Sequence, residues 1–320
     1  MRKLSSLFLA LMACVTFANA DGGALKGAFT INANGDQVVF AQGNLQYLPK
    51  FATWRFAEHQ YDVLITGTAY VALSDSYENW MDLFGWGTSG YNEKYPYMTS
   101  RTGGDYGDGE TDIAGTNYDW GVYNAGQLGN GWRSLTADEW NYIIKTRQSA
   151  DNLQSEATIC GISGYVLLPD DFVLPEGLSW SSKTYNYYTN IYDQEAWAKM
   201  ESAGAVFLPA AGSRMGNNVY GLNTPGFVDN GHYWSATHGS KYTGSAFAAI
   251  FQGAGCAVQE TSRDYGYSVR LAKDYVAPSG PTTSIDNTNA NAKAVKVLRD
   301  GQLLINHNNC TYDARGRQVR

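Results

Sequence analysis

Two stretches constrain this chain more than any others, Tyr233 to Leu271 and Gly129 to Trp140. The first opens on Tyr233-Trp234-Ser235-Ala236-Thr237 and closes on Tyr267-Ser268-Val269-Arg270-Leu271. Both ends look structural. Between them runs a mixture of His, Lys, Tyr, Thr, Ser, Gln, Asp and Gly without a catalytic pattern. A fixed frame around chemically mixed, mostly polar positions is how a recognition surface is built. The segment is expected to form three or four short strands joined by tight glycine turns.

The second stretch carries a helix start. Thr136-Ala137-Asp138-Glu139 is a capping box, in which threonine and glutamate satisfy the first amide donors. Trp140, Ile143, Ile144 and Arg147 follow at helical spacing and give one core face. A second helix is expected after Asp193, with Ala196, Trp197, Met200 and Ala203 on one side and Gly204 ending it. Ala205-Val206-Phe207-Leu208-Pro209 then reads as a buried strand. Near the start, Phe29–Asn32 and Gln37–Phe40 flank Ala33-Asn34-Gly35-Asp36, a hairpin signal. Gly43–Tyr47 and Trp54–Phe56 read as further strands, whereas Trp80 to Trp132 is Gly- and Tyr-rich and expected to be mostly irregular.

Residues 1–20 read as a signal peptide. Arg2 and Lys3 precede a mostly apolar run from Leu4 to Phe17, and Ala18-Asn19-Ala20 supplies small residues for cleavage. That run is too short to span a bilayer. Leu11-Met12-Ala13-Cys14 approaches a lipid-attachment box, so lipidated export is the alternative. Removal of Arg2 and Lys3 takes the formal charge from −7 to −9. An acidic chain without a basic tract argues against a nucleic-acid partner. Cys160, Cys256 and Cys310 remain, an odd and scattered set that defines no disulfide framework; a Cys160–Cys256 bridge stays open. Residues 25–274 are expected to form one domain and 275–293 a Pro-, Gly- and Ser-containing linker. Residues 294–320 follow as a C-terminal hairpin turning at Asp300-Gly301, with a basic end from Arg315 to Arg320.

Gly131-Trp132-Arg133-Ser134-Leu135-Thr136 through Glu139-Trp140 resembles a signature of the formylglycine-generating-enzyme branch of the C-type lectin fold. Ala205 to Arg214, Tyr233-Trp234-Ser235 and Ser268-Val269-Arg270-Leu271 match that branch in order. Over most of residues 27–273 the chain is similar to secreted Bacteroidetes proteins of the "major paralogous domain" kind. Those include the variable ligand-binding proteins of diversity-generating retroelements. The resemblance implies an α+β, C-type lectin-like fold, loop-rich, with two helices and short antiparallel strands. The tail from Val295 more weakly resembles the C-terminal segment of Bacteroidetes surface proteins.

The chemistry of individual residues separates the functions that the resemblance implies. Formylglycine-generating enzymes use a pair of thiols near the end of the fold, and here that region has Cys256 alone. Arg133 and Arg270 are expected to be structural, forking onto carbonyls or onto a carboxylate such as Glu139. His59, His232, His238 and His307 lack metal-binding spacing. Asp105, Asp108, Glu110 and Asp112 form a glycine-rich acidic loop that is a calcium candidate, its alternative being simple hydration. After Trp234, the resemblance places Ala246, Ala249 and Phe251 inward and leaves Ala248, Ile250 and Gln252 outward. His238, Lys241, Tyr242, Gln259, Thr261, Asp264 and Tyr265 join them as ligand-binding positions. Tyrosine supplies contact area with few rotatable bonds, and Gln, Asp and Thr supply adaptable hydrogen bonds.

The expectation is a non-catalytic extracellular or cell-surface binder of a protein or glycan on another cell or phage. A formylglycine-type oxidoreductase and a purely structural surface or adhesion subunit are the alternatives.

Overall fold

The computed structural model describes residues 23–64, 69–70, 72–221, 229–277, 295–299, 302–307, 310–313 and 317–319. The expected signal peptide, most of the expected linker and the Asp300-Gly301 turn lie outside these residues. The chain divides into two compact units, up to Tyr275 and from Val276 onward.

In the first unit, helices are few and short and the strands are antiparallel with one exception, an α+β arrangement. It opens with β1 (Phe29–Thr30), β2 (Gln37–Phe40), β3 (Leu45–Leu48) and β4 (Thr53–Phe56). Helical turns α1 (Trp120–Tyr123) and α2 (Ala125–Leu128) lead to α3 (Ala137–Asn141), then β5 (Gln154–Ile159), β6 (Ile162–Leu167) and β7 (Ile191–Tyr192). After them come α4 (Gln194–Ser202), β8 (Val206–Pro209), β9 (Ser213–Met215) and β10 (Asn218–Tyr220). The unit ends with β11 (Gly231–His238), β12 (Ser245–Phe251), β13 (Cys256–Ser262), β14 (Tyr265–Gly266) and β15 (Ala272–Asp274). Hydrogen bonding assembles these as β1-β2-β15, β3-β4, β7-β5-β6-β8, β10-β9-β14 and β11-β12-β13.

The capping box forms as expected. Thr136 Oγ1 accepts from Glu139 N, and Glu139 Oε2 accepts from Thr136 N. The helix relaxes into a π-helical turn over Tyr142–Thr146, closed by Arg147 N donating to Tyr142 O. Trp140, Ile143 and Ile144 are buried in one cluster with Phe29, Phe40, Tyr165, Tyr233 and Phe251. A second cluster gathers Trp54, Trp86, Trp120, Trp132 and Trp234.

The sheet β11-β12-β13 separates the two. Trp234, Ala246 and Ala248 enter the tryptophan cluster, while Tyr233, Ala249 and Phe251 enter the other. Alternation along a strand sends successive side chains to opposite faces, so a strand covered on both sides loses its polar positions. Four indoles of the tryptophan cluster donate to backbone carbonyls: Trp86 to Ser235, Trp120 to Thr88, Trp132 to Leu128 and Trp234 to Phe84. Trp140 Nε1 is buried without a partner among the described residues.

The arginines are structural anchors. Arg133 grips Glu139 with two parallel bonds of 2.9 Å and also reaches Asp274 at 2.9 Å. Arg270, 1 % exposed, donates to Asn44 Oδ1 and to the carbonyls of Ala41 and Phe207.

Asp119 shows the cost of such burial. It caps α1 through Gly121 N and also accepts from Ser134 N, yet burial raises its pKa to about 6 against the pull of those bonds. A folded-state pKa above the unfolded value stabilises the fold below pH ~4, and that contribution is lost as pH rises through about 6. Urea unfolding of the native chain between pH 4 and 7 is expected to show this loss, at most about 3 kcal/mol. The slope is expected to be shallower in Asp119→Asn, with Asp82 and Glu156, also raised by burial, still contributing.

In the second unit, β16 (Val295–Arg299) and β17 (Gln302–His307) pair as the expected hairpin, with Arg299 opposite Gln302. Two further strands, β18 (Cys310–Asp313) and β19 (Gln318–Val319), extend it to a four-stranded sheet that the hairpin expectation missed.

Candidate functional site

Strand register sets the site. Ala246, Ala248 and Ile250 of β12 lie opposite Thr261, Gln259 and Ala257 of β13, while Trp234 and His232 of β11 lie opposite Ala248 and Ile250. These residues share one face. Its inner half, Trp234, Ala246 and Ala248, is buried. Its outer half is open: His232, Ile250, Ala257 and Thr261 are half-buried and Gln259 is exposed.

An aromatic ladder supports that open half. His232 stacks on Tyr267 at 4.5 Å with 17° between planes, and Tyr267 stacks on Tyr265 at 5.7 Å with 10°. Trp234 leans on Tyr267 from the core side at 4.5 Å. Tyr267 OH and Thr261 Oγ1 share a hydrogen bond of 3.0 Å. Burial pushes the His232 imidazole down to about 4 against its bond to the Gly212 carbonyl, so the ring is neutral near pH 7. Burial also raises the Tyr267 and Tyr242 hydroxyls, which therefore stay protonated and act as neutral donors and acceptors. The result is a stacked aromatic platform of neutral rings, with Tyr265 half-buried and Tyr242 44 % exposed at its rim.

The other expected ligand-binding residues distribute unevenly. Lys241, Gln252 and Gln259 are exposed. His238 is half-buried and held by Asp112, whose Oδ1 lies 2.5 Å from His238 Nδ1 and 2.9 Å from His238 N. Two assignments are corrected. Ala248, expected to face outward, is fully buried because its part of β12 packs into the tryptophan cluster beside Trp234 and Ala246. Asp264, at 8 % exposure, is buried and accepts from Ser262 Oγ. Ala246 and Ala249 are both buried as expected, though on opposite faces.

The acidic loop does not assemble as a calcium site. Asp112 is taken up by His238, Glu110 by Arg263 and Gly244 N, and Asp105 by Ser100. Asp108 points to solvent. No group of three or more His, Cys, Asp or Glu among the described residues is placed to hold a metal ion. The loop instead braces the outer edge of β11, with Ile113 N donating to Ala236 O.

Cys160, Cys256 and Cys310 are free thiols, so the Cys160–Cys256 bridge is not formed. Cys256 borders a pocket of about 150 Å³ with Ile144, Lys145, Gln154, Tyr165 and Tyr185. Burial pushes its thiol up to about 12, against the nearby Lys145 ammonium and with help from Glu156. A thiol so raised is not a ready nucleophile near neutral pH.

Sequence reasoning missed His232 and Tyr267 as platform members. It also missed Arg214 and Arg263, both fully buried; Arg263 lies over the Trp86 ring at 4.5 Å and donates to Glu110. The signal for the ladder was present only as scattered aromatic residues whose contact depends on the fold.

Residues 180–272 match the profile of a domain of unknown function, DUF8237. The match starts before β7 and ends at the first residue of β15, so it contains the whole platform. No curated protein and no solved structure gives a match. No helix among the described residues is long and apolar enough to cross a membrane.

Proposed function

We propose that this chain is a non-catalytic recognition protein of the C-type lectin-like fold, working outside the cell or at its surface. Its ligand, a protein or glycan on another cell or phage, is contacted through the open half of the β11-β12-β13 face and the rim beside it. The observation that carries this reading is the ladder His232–Tyr267–Tyr265, anchored by Trp234 and bordered by Tyr242, Gln259 and Thr261. Rigid aromatic surface loses little conformational entropy on binding, and the neighbouring amide and hydroxyl groups adapt their hydrogen bonds to the ligand. Raising of the Cys256 thiol weighs against the oxidoreductase alternative.

A glycan array and a cell-surface binding screen test the reading directly. Alanine at both Tyr242 and Tyr265 is expected to weaken a detected interaction at least about tenfold, the scale of one aromatic anchor. If alanine at Tyr242, Gln252 and Tyr265 leaves every detected interaction unchanged, the face is misassigned. Copper-dependent thiol oxidation that disappears in Cys256→Ala would transfer the assignment to the oxidoreductase.

A further inference from the structure

The sheet β11-β12-β13 has two outer edges, and they are treated differently. Along β11 the edge is occupied by other segments. Trp234 N donates to Ser268 O, Ser268 N to His232 O, Ala236 N to Leu135 O and Ile113 N to Ala236 O. Along β13, no backbone hydrogen bond from any described residue reaches Ala257–Ser262 except from β12. The strand is seven residues long and pairs with β12 in unbroken register. Apart from β11, the other strands that end a sheet in this unit are four residues or fewer, and the longest of them bordering a larger sheet, β8, is wholly buried.

Open edges are ordinarily guarded by Pro, Lys, a bulge or inward charge. Cys256-Ala257-Val258-Gln259-Glu260-Thr261-Ser262 has none of the first three. Its single charge, Glu260, is turned back into its own chain, accepting from Lys241 N and Ser245 Oγ.

We propose that β13 is the interface with a second copy of this chain, the two strands pairing antiparallel about a two-fold axis at Gln259. That register places Val258 opposite Glu260, Ala257 opposite Thr261 and Cys256 opposite Ser262, so no like charges stand directly opposite each other. Self-complementarity of this kind is what a two-fold interface requires. The ends of the strand agree with it. Lys145 stands beside Cys256 at one end, so antiparallel pairing brings it to the half of the partner strand that carries Glu260. Exposed aromatic surface matches likewise. Tyr185, 61 % exposed and packed at Gly255, meets the partner copy's end that carries Tyr242, 44 % exposed. Two recognition faces then join into one six-stranded surface, which gives bivalent contact with a repetitive ligand.

The experiment uses the full chain without residues 1–20, in a Cys160→Ser, Cys310→Ser background. Sedimentation is expected to show a concentration-dependent dimer. Gln259→Cys, placed on the axis, is expected to cross-link with itself under mild oxidation, while Asn34→Cys on the exposed hairpin turn is not. Gln259→Lys sets two ammonium groups against each other and is expected to weaken the dimer roughly tenfold without unfolding an exposed position. A monomer at roughly 200 µM, a range in which micromolar association is saturated, overturns the proposal. So does a dimer that is insensitive to Gln259→Lys and not trapped by Gln259→Cys. Ligand binding by a monomer would leave the recognition reading standing.

Discussion

Replacing Arg270 with alanine is expected to lower the free energy of unfolding by about 4 kcal/mol, the range for breaking a buried charged hydrogen-bond network. The side chain is completely enclosed, and burial pulls its pKa down to about 10, opposed mainly by Tyr233. Its three donors tie Asn44, Ala41 and Phe207, residues from the β2–β3 connection and from β8. Loss of the guanidinium leaves two carbonyls and an amide oxygen without donors, and each orphaned group costs on the order of 1–3 kcal/mol. A cavity adds to that. Lysine is expected to rescue little, because one ammonium cannot reproduce a fork that spans three directions. Urea unfolding followed by tryptophan fluorescence measures both variants. A loss below about 1 kcal/mol for Arg270→Ala would show that the carbonyls find water instead.

That anchor was legible in sequence as a structural arginine, as were other local devices. The Asn34-Gly35 turn sets β1 against β2, the capping box opens α3, and Arg133 forks onto Glu139. Each of these depends on residues close in sequence or on a charge with few ways to be satisfied. Ala248 and Asp264 were misread for a different reason. Ser245-Ala246-Phe247-Ala248-Ala249-Ile250-Phe251 offers no alternation of polar and apolar residues, and a middle strand buried on both faces needs none. Which alanine faces outward is then undetermined by pattern. The aromatic ladder was illegible because His232 lies on β11 whereas Tyr265 sits on β14, which pairs with a different sheet. Only the close approach of the two sheets stacks their rings. The acidic loop looked like a cation site by composition, yet its carboxylates found His238, Arg263 and Ser100 as partners, long-range contacts for the first two.

Trp234→Ala is expected to destabilise the fold by about 4 kcal/mol and to weaken ligand binding although Trp234 is beyond a ligand's reach. The indole is 1 % exposed, donates to Phe84 O at 2.7 Å and supports Tyr267 at 4.5 Å. Truncating a buried tryptophan ordinarily costs about 3–5 kcal/mol through lost burial and the cavity left behind. Here the cavity opens directly beneath the ladder, so Tyr267 gains freedom and Tyr265 loses its stacking support. Ordering those rings then falls on the ligand, and affinity drops. Trp234→Phe separates the two contributions. It keeps most of the packing and removes one of the two donors to the Phe84 carbonyl, which retains Tyr267 N, so a loss of about 1 kcal/mol in stability is expected. Binding by this variant at a temperature where it is fully folded should stay near the native level, because an aromatic ring still backs Tyr267. Binding by Trp234→Ala under the same condition should fall at least about tenfold, equal to 1.4 kcal/mol of lost pre-organisation. Equal affinity in both variants would mean that the ladder is rigid without its tryptophan, and that the recognition face does not depend on the core beneath it.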